Sequence, residues 1–271
     1  MTIRVGIVGA TGYTAIELIK ILLRHPEVKI TRATSRSDFG QPLEKTHPSL
    51  RGQLNLSLSE FEIDDFVRSV DCAFCCLPHA ASSPVVKQLV DRGIKTIDFS
   101  ADYRLDDLAS FQKHYQAEHA DPDRLGKTAY GIPEIFRDSI TNASLVANPG
   151  CFPTTAIIPL TPLIAAGLIQ SNGIIVDSKT GVSGGGRTPK LSLHFPECNE
   201  SISAYAVGTH RHGPEMEQIV ARGTQKPISV NFVPHLIPMD RGILSTIYVE
   251  PLRGTRAADF LAAIATRYSH E

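Results

Sequence analysis

The fold is decided by the stretch IRVGIVGATGYT, which spans residues 3–14. Its first half is rich in β-branched side chains, and its glycines recur at Gly6, Gly9 and Gly12. The residues that follow, 15–23, have the apolar spacing of a helix. A strand, a glycine turn and a helix in this order aim backbone amides at a phosphate. The stretch therefore predicts a dinucleotide-binding unit, and the alternative is a tight turn without a ligand.

Strands and helices alternate along the rest of the first half of the chain. Further strands are predicted at residues 28–33, 72–77 and 94–99, and a helix at residues 84–90. This alternation is typical of a doubly wound parallel sheet that is covered by helices on both faces. We therefore predict an α/β, Rossmann-type domain for residues 1–148.

The character of the sequence changes after residue 148. A proline-rich helix comes first, and it is followed by predicted strands at residues 173–178, 228–233 and 244–249 and a predicted helix at residues 257–268. We predict that residues 149–271 form a second domain of the α+β class, which carries the catalytic and substrate groups on a largely antiparallel sheet.

Composition argues against several classes of protein. The 271 residues carry 27 Lys and Arg against 28 Asp and Glu, a balance that does not favour a nucleic-acid partner. The five cysteines form no disulfide framework and the amino terminus has no signal peptide, so we predict a cytoplasmic protein. Residues 152–169 carry no charge, but Pro153, Pro159 and Pro162 favour a buried, kinked helix or a broken pair over a membrane span.

Candidate cofactor contacts lie at the glycine turns and where predicted strands end. The acid that usually binds a ribose is absent after the strand at residues 28–33, and Ser35-Arg36 stands there instead. A hydroxyl and a guanidinium suit the 2′-phosphate of NADP, although a solvated Arg36 is the alternative. The predicted cofactor contacts are Gly9, Thr11, Gly12, Tyr13, Thr14, Ser35, Arg36, Pro78, Ser183 and Gly184.

Cys151 is the candidate nucleophile. It stands in Asn148-Pro-Gly-Cys-Phe-Pro-Thr154 directly before a predicted helix, whose amides and dipole favour the thiolate and suit an oxyanion. The alternative is a buried, inert thiol, which we predict for Cys72, Cys75 and Cys76 in an apolar strand. Cys72 and Cys75 have the spacing of zinc ligands, but no second pair accompanies them, and we predict no metal site.

Two histidines are the candidate acid and base. His210 and His212 flank Arg211 at the start of a predicted helix, and either imidazole could transfer a proton near neutral pH. A capping or core role is the alternative for each of them. The residues alone leave open which of the two transfers the proton.

Polar residues beside strand ends and glycines are candidate substrate contacts. Arg104 follows the strand at residues 94–99, where it could hold a phosphate or carboxylate or form an ion pair with Asp102 or Asp106. Gly184-Gly-Gly-Arg187 offers amides and a cation to a substrate, or is a plain flexible loop. The predicted substrate contacts are Arg104, Asn148, Arg187 and Glu197.

These features together indicate one type of chemistry. A reactive thiol, a histidine and an NADP site are what a phosphorylating aldehyde dehydrogenase needs to reduce an acyl phosphate through a thioester. The alternative from another class is a non-catalytic protein that senses the NADP pool, and its Cys151 would be unreactive.

Five motifs are specific in combination. They are Gly9-Ala-Thr-Gly-Tyr-Thr14, Asn148-Pro-Gly-Cys-Phe-Pro-Thr154, Ser178-Lys-Thr-Gly-Val-Ser-Gly-Gly-Gly-Arg187, Thr209-His-Arg-His212 and Pro234-His-Leu-Ile-Pro-Met-Asp-Arg-Gly242. They resemble the N-acetyl-γ-glutamyl-phosphate reductases of arginine biosynthesis, which are related to aspartate-semialdehyde dehydrogenases. The resemblance implies NADP-dependent reduction of N-acetyl-γ-glutamyl phosphate, with Cys151 as nucleophile and His210 favoured over His212. It also implies a homodimer or homotetramer.

The chain departs from the family pattern at two points. Ala15 stands where the family commonly has glycine, and a small side chain should be tolerated there. Family chains continue beyond the position of Glu271 with a segment that returns to the cofactor, so the resemblance implies either a truncated sequence or a protein that lacks part of its NADP pocket and core. The rival function with the same mechanism is reduction of aspartyl phosphate or of a carrier-linked aminoadipyl or glutamyl phosphate.

Overall fold

The computed structural model describes residues 2–271, and its contacts divide the chain into two compact units. Unit 1 comprises the described residues up to 131 together with residues 138–148, and unit 2 comprises residues 132–137 and 149–271. This division differs from the predicted one only in the short segment 132–137, which belongs to unit 2.

Unit 1 is built around a parallel sheet of six strands in the order β2-β1-β3-β4-β6-β5. The strands are β1 (Ile3–Val8), β2 (Val28–Thr34), β3 (Cys72–Cys75), β4 (Lys95–Asp98), β5 (Ala129–Tyr130) and β6 (Leu145–Ala147). The helices in this part of the chain are α1 (Tyr13–Leu22), α2 (Leu43–Thr46), α3 (Ile63–Ser69), α4 (Ser83–Asp91), α5 (Leu108–Tyr115) and α6 (Pro133–Thr141). The predicted doubly wound fold is confirmed, and its strand order changes direction between β1 and β3. Sheets of this type bind ligands beyond the carboxyl ends of the strands at such a point.

β1 lies at the centre of the sheet and packs on both faces. Ile7 belongs to an apolar cluster that includes Ile19 of α1, and Val8 belongs to a second cluster that includes Phe66 of α3. Gly6 has a specific reason to be glycine, because a Cβ there would lie 2.3 Å from the Cζ atom of Phe66. The short strand is therefore held by burial on both sides, as expected for a parallel sheet.

Two buried carboxylates organise the carboxyl end of β4. Asp98 accepts hydrogen bonds from the hydroxyls of Ser82 and Ser100, each at 2.6 Å. Asp102 accepts hydrogen bonds from the amides of Ser82 and Ser83, at 3.1 and 2.9 Å, and so caps the N-terminus of α4. Burial raises the pKa of Asp98 to about 6, and the negative charge of Asp102 contributes in the same direction.

Asp98→Asn is expected to reduce the pH dependence of stability. The pKa of Asp98 is about 6 in the folded protein against an ordinary value of 3.8, so between these values the folded state binds more protons than the unfolded chain. The free energy of unfolding therefore falls as the pH rises through this window, by about 3 kcal/mol for this one carboxyl. Urea titrations at about pH 5 and about pH 7 should show a smaller fall in the variant than in the wild type. Equal falls in the two proteins would contradict the assignment.

Unit 2 contains a mixed sheet of four strands in the order β10-β7-β9-β8. Its elements are α7 (Cys151–Ala165), β7 (Ile174–Thr180), α8 (Phe195–Cys198), β8 (Ser203–Ala204), α9 (His212–Thr224), β9 (Val230–Leu236), β10 (Ile243–Tyr248) and α10 (Ala257–Tyr268). The pairs β10–β7 and β8–β9 are antiparallel, as predicted for most of this sheet, whereas the central pair β7–β9 is parallel. α7 and α9 pack against each other, and they contact β10 and β9 respectively.

α7 is one continuous helix, although the sequence allowed a kinked or a broken one. Pro159 and Pro162 lie inside it and lack the amide protons that would bond to carbonyl groups four residues earlier. The carbonyl of Ile158, which loses its partner to Pro162, instead accepts a hydrogen bond from the hydroxyl of Tyr268 at 2.6 Å. The buried side of α7 and this hydroxyl from α10 keep the helix intact. Within residues 2–271, no helix is long and apolar enough to span a membrane.

Candidate active site

The glycine turn after β1 is fixed at both ends and open at the start of α1. Gly9 has φ +82°, and a Cβ there would lie 2.7 Å from the carbonyl oxygen of Cys76, so only glycine fits. The amide of Ala10 donates to Thr34, and its carbonyl lies 2.9 Å from Nε2 of the buried His47. A Cβ at Gly12, the residue before α1, would meet no atom within 4 Å.

This open turn fits the phosphates of a dinucleotide. The first amides of α1 have no partner within the helix, because helix geometry leaves the first turn unbonded. The open space beside Gly12 gives an anion room to approach these amides, and the helix dipole favours negative charge at this end. Thr11 is half-buried, and Tyr13 and Thr14 are exposed, so the predicted contacts surround accessible backbone.

The carboxyl end of β2 carries an acid that the sequence analysis missed. Ser35 is buried and Arg36 is exposed, as a 2′-phosphate site would require. Asp38, however, accepts a hydrogen bond from the hydroxyl of Ser35 at 3.3 Å and from that of Ser37 at 2.6 Å. Asp38 lies four residues after the end of β2, beyond the position at which the sequence was searched for a ribose-binding acid. Its clue in the sequence was only the serine-rich turn around it.

The loop after β3 contains Pro78. The amide of Ala81 donates to the Pro78 carbonyl at 3.2 Å, which forms a tight turn. The Nδ1 atom of His79 accepts the amide of Ala101 at 2.9 Å, and Ala80 has an unusual φ of +62°. The predicted contact Pro78 thus belongs to a constrained turn at the sheet edge where β1 and β3 end.

Arg104 is directed toward backbone oxygens. The side chain is buried, and it donates to the carbonyls of Phe99 and Asn148 at 2.8 Å each. These carbonyls follow β4 and β6, so the guanidinium joins the ends of two neighbouring strands. The backbone amide of Asn148 also donates to the backbone carbonyl of Asp98 at 2.8 Å. For Arg104 and Asn148, the structure reveals positioning roles, and their contact with substrate stays a prediction.

Cys151 is the first residue of α7 and its side chain is exposed. Gly150 precedes the helix in an extended conformation and provides no side-chain cap. The amide of Gly150 donates to the Oε1 atom of Glu215, which is fully buried in α9, at 2.9 Å. The predicted placement of Cys151 at a helix N-terminus therefore holds.

His210 lies in an aromatic cluster beside Cys151. Its ring centroid is 5.7 Å from that of Phe152, the neighbour of Cys151, and 5.1 Å from that of Phe232. Burial lowers the pKa of His210 to about 4, and the positive charge of Arg211 adds to the effect. The imidazole is therefore neutral at pH 7.

The tautomer of His210 is set by its neighbour. The amide of His212 donates to the Nδ1 atom of His210 at 3.1 Å, so a neutral His210 carries its proton on Nε2. His212 is the first residue of α9 and is itself buried, with a ring centroid 4.8 Å from that of His210. Of the two histidines, His210 is the more accessible one.

Tyr205 belongs to the same cluster and was not predicted from the sequence. Its ring centroid lies 5.7 Å from that of His210. Burial raises the pKa of Tyr205 to about 12, and a negative charge on Cys151 acts in the same direction. Unit 2 thus brings together Cys151, Tyr205, His210 and His212, and no spacing rule in the sequence indicates the tyrosine.

The remaining predicted residues lie in the segment after β7. Ser183 and Gly184 form part of a 3₁₀ turn, in which the amide and the hydroxyl of Ser183 both donate to the carbonyl of Asp240. Arg187 and Glu197 are exposed. Contacts of these four residues with cofactor or substrate stay predictions.

The other cysteines have surroundings that suppress reactivity. Burial raises the pKa of Cys72 to about 11 and that of Cys76 to about 12, and it also raises the pKa of Cys75 well above its ordinary value. Across residues 2–271, no three His, Cys, Asp or Glu side chains are grouped so that they could hold a metal ion. Cys72 and Cys75 are therefore thiols of the sheet interior.

Comparison with known proteins assigns the chain to a family. A family model described as "Semialdehyde dehydrogenase, NAD binding domain" matches residues 4–143, and one described as "Semialdehyde dehydrogenase, dimerisation domain" matches residues 151–271. An N-acetyl-γ-glutamyl-phosphate reductase from Rhodopirellula baltica is 55% identical over 250 residues, which cover 92% of this chain and 72% of that protein. The chain belongs to the N-acetyl-γ-glutamyl-phosphate reductase family.

Further comparisons agree with this family and with the fold. A reductase of the same name from Desulforapulum autotrophicum is 42% identical over 269 residues, which cover 99% of this chain and 78% of that protein. Aspartate semialdehyde dehydrogenase from Candida albicans, solved with NADP, has a TM-score of 0.72 at 14% identity, over 97% of this chain and 76% of that one. Aspartate semialdehyde dehydrogenase II from Vibrio cholerae has a TM-score of 0.73 at 17% identity, over 97% of this chain and 78% of that one. This reductase-family chain is therefore an oxidoreductase with a nicotinamide-dinucleotide-binding domain.

Iodoacetamide is expected to label Cys151 at least about tenfold faster than any other cysteine at neutral pH, because its thiol is exposed at a helix N-terminus. Peptide mass spectrometry after timed alkylation measures each site separately. The variant Cys151→Ser should lose the fast label, and Cys198→Ser should keep it. Equal labelling rates at Cys151 and Cys198 would contradict an activated thiol and favour the sensor.

Proposed function

We propose that this reductase-family member catalyses the NADPH-dependent reduction of N-acetyl-γ-glutamyl phosphate to N-acetylglutamate semialdehyde and phosphate. This is the third step of arginine biosynthesis from glutamate. The observation that carries the proposal is the exposed Cys151 at the N-terminus of α7 with the neutral His210 beside it. The substrate is supported by relatives at 42–55% identity that bear the name of this reaction.

Cys151 would act as the nucleophile. Its thiolate attacks the acyl carbon, the bond from carbon to the phosphate oxygen breaks, and a thioester on Cys151 remains. The amide of Phe152, in the first turn of α7, can stabilise the negative oxygen that develops during this attack, because helix geometry gives it no carbonyl partner within the helix. The dinucleotide supplies a hydride to the thioester carbon when it is bound. Collapse of the resulting hemithioacetal releases the aldehyde and restores the Cys151 thiolate.

His210 would handle the proton on the substrate oxygen. Its Nδ1 atom is occupied by the amide of His212, so its Nε2–H is the group that can donate to a carbonyl or hemithioacetal oxygen. A pKa of about 4 keeps the imidazole neutral, so it can donate a hydrogen bond without carrying a positive charge. We assign to His210 the donation of a hydrogen bond to the substrate oxygen, and we assign to His212 the task of orienting it.

The dinucleotide would be held by unit 1. The open amides after Gly12 suit its pyrophosphate, and the exposed Arg36 suits the 2′-phosphate of NADP. The predicted contacts Thr11, Tyr13 and Thr14 lie next to those amides.

We also propose that the protein is a homodimer or homotetramer. One face of the unit 2 sheet packs on α7 and α9, whereas Ile175, Leu244 and Tyr248 are exposed on the opposite face. An apolar patch of this kind is typical of an interface between subunits. The match to a dimerisation domain over residues 151–271 supports this arrangement. A cytoplasmic location stays a prediction.

The reverse reaction tests the substrate and the nucleophile together. Reduction of NADP⁺ by N-acetylglutamate semialdehyde should require phosphate, and it should disappear in Cys151→Ser because the thioester cannot form. Absorbance of the reduced dinucleotide measures the rate. Aspartate semialdehyde is the comparison substrate, and turnover with that aldehyde alone would replace the acetylated substrate by the rival acyl phosphate.

His210→Asn should lower kcat by roughly a hundredfold or more, because the hydrogen bond from Nε2–H to the substrate oxygen is lost. The alkylation rate of Cys151 should change far less, since the thiol and the α7 amides remain. His212→Asn is the matched variant, and its own amide can still donate to residue 210. A smaller loss for His210→Asn than for His212→Asn would transfer the assigned role to His212.

A further inference from the structure

Asp38 lies in the turn that follows β2, near the strand end at which a doubly wound sheet distinguishes its dinucleotides. It lies just after the carboxyl end of β2, two residues from the exposed Arg36. Proteins of this fold recognise the 2′ position of the adenosine ribose at this strand end. A carboxylate there accepts a hydrogen bond from the 2′-hydroxyl of NAD, and it repels the 2′-phosphate of NADP.

Asp38 also accepts hydrogen bonds from the serine hydroxyls nearby. Ser35 and Ser37 both donate their hydroxyl protons to its Oδ2 atom, at 3.3 and 2.6 Å. The amide of Asp38 donates back to the Ser35 hydroxyl at 3.2 Å, and the amide of Ser35 donates to the carbonyl of Ser59 at 3.0 Å. A hydroxyl whose proton is already engaged in one hydrogen bond can only act as an acceptor in a further one. Ser35 is thus set to accept from a ribose hydroxyl, whereas a phosphate needs donors.

Arg36 opposes this arrangement. Its side chain is exposed, and it forms no ion pair with a carboxylate among residues 2–271. A guanidinium attracts a 2′-phosphate and can form two hydrogen bonds to it. One strand end therefore carries a cation that favours NADP and a carboxylate, with two serines bonded to it, that favours NAD.

We propose that Asp38 is a specificity-determining residue that restrains the preference for NADPH, so that the wild-type protein also binds NADH. This inference rests on the proposed function of unit 1 as the dinucleotide site. It makes Ser35 an acceptor controlled by Asp38, in contrast to the donor expected from the sequence. The cost of a unit charge near a phosphate at a solvated surface corresponds to about a tenfold change in affinity.

The experiment measures the dissociation constants of NADPH and NADH by nucleotide fluorescence, without any substrate. Asp38→Ala removes the charge and releases both serine hydroxyls, and it should raise the preference for NADPH by about tenfold or more. Asp38→Asn removes only the charge and should give a smaller rise. Arg36→Ala should shift the preference in the opposite direction. Competition by adenosine 2′,5′-bisphosphate and by 5′-AMP should show the same shifts, because these probes lack the nicotinamide end.

Asp107→Asn provides the matched control. Asp107 accepts hydrogen bonds from the amide and the hydroxyl of Ser110, each at 2.8 Å, at the start of α5. It is the same kind of carboxylate and serine turn in unit 1, away from β2. The variant should leave the preference between the two dinucleotides unchanged.

The outcomes separate this inference from the proposed function. A preference in Asp38→Ala that equals that of Asp107→Asn, or an equal loss of affinity for both dinucleotides, would overturn the role of Asp38 alone. A wild-type protein that binds neither dinucleotide would overturn the assignment of unit 1 and this inference with it. A wild-type protein that binds NADPH at least about a hundredfold more tightly than NADH would also overturn it.

Discussion

The N-termini of two helices in this protein have no side-chain cap. α1 follows Gly12 and α7 follows Gly150, and neither glycine contributes a side-chain hydrogen bond to its helix. Other helices of the chain are capped in the ordinary way, α4 by the carboxylate of Asp102 and α5 by that of Asp107. The first turns of α1 and α7, which have no such cap, are the ones proposed to bind a phosphate and an oxyanion. A Ser or Asp cap at Gly12 or Gly150 would compete with the ligand for the same amides.

The open helix ends are made possible by packing elsewhere. Glycine at this position costs only a few tenths of a kcal/mol relative to a capping side chain, an amount that buried apolar area offsets many times over. Ile19 of α1 is fully buried, as are Ile157 and Leu160 of α7. In α7 the hydroxyl of Tyr268 also serves the carbonyl that Pro162 leaves unbonded. The stability of these helices therefore comes from their sides, and their N-termini are free to bind ligands.

The sequence predicted the elements whose cause is local. β1 lies in the first half of the stretch 3–14, where the sequence predicts a strand, because a β-branched run meets a glycine that only a tight turn accommodates. The continuity of α7 was not predictable, because it depends on Tyr268, which lies 110 residues beyond its acceptor, Ile158. The parallel pairing of β7 and β9 depends in the same way on a long connection through α9. Local patterns identify strands and helices. The pairing of strands and the replacement of a hydrogen bond lost at a proline depend on the folded chain.

The residues of the candidate site also fall into two groups, those that the local sequence indicates and those that only the folded chain brings into place. Cys151 and His210 were predictable because each has a motif around it, a helix start in one case and a histidine pair in the other. Tyr205 joins them only through the packing of the loop before α9, and Asp38 reaches the end of β2 only through a turn of serine hydrogen bonds. The sequence did not indicate that Arg104 donates to two carbonyl groups at the ends of separate strands, because those strand ends meet only in the folded sheet.

These residues have a common physical explanation, which is that the partner of a side chain decides its chemistry. His210 is a donor because the amide of His212 occupies its other nitrogen, and it is neutral because it is buried. Ser35 is an acceptor because its hydroxyl already donates a hydrogen bond to Asp38. In each case the sequence supplies a group that could donate or accept, and one neighbouring hydrogen bond removes one of the two possibilities. The specificity of such a site therefore resides as much in the residues that hold its ligands in one state as in the ligands themselves.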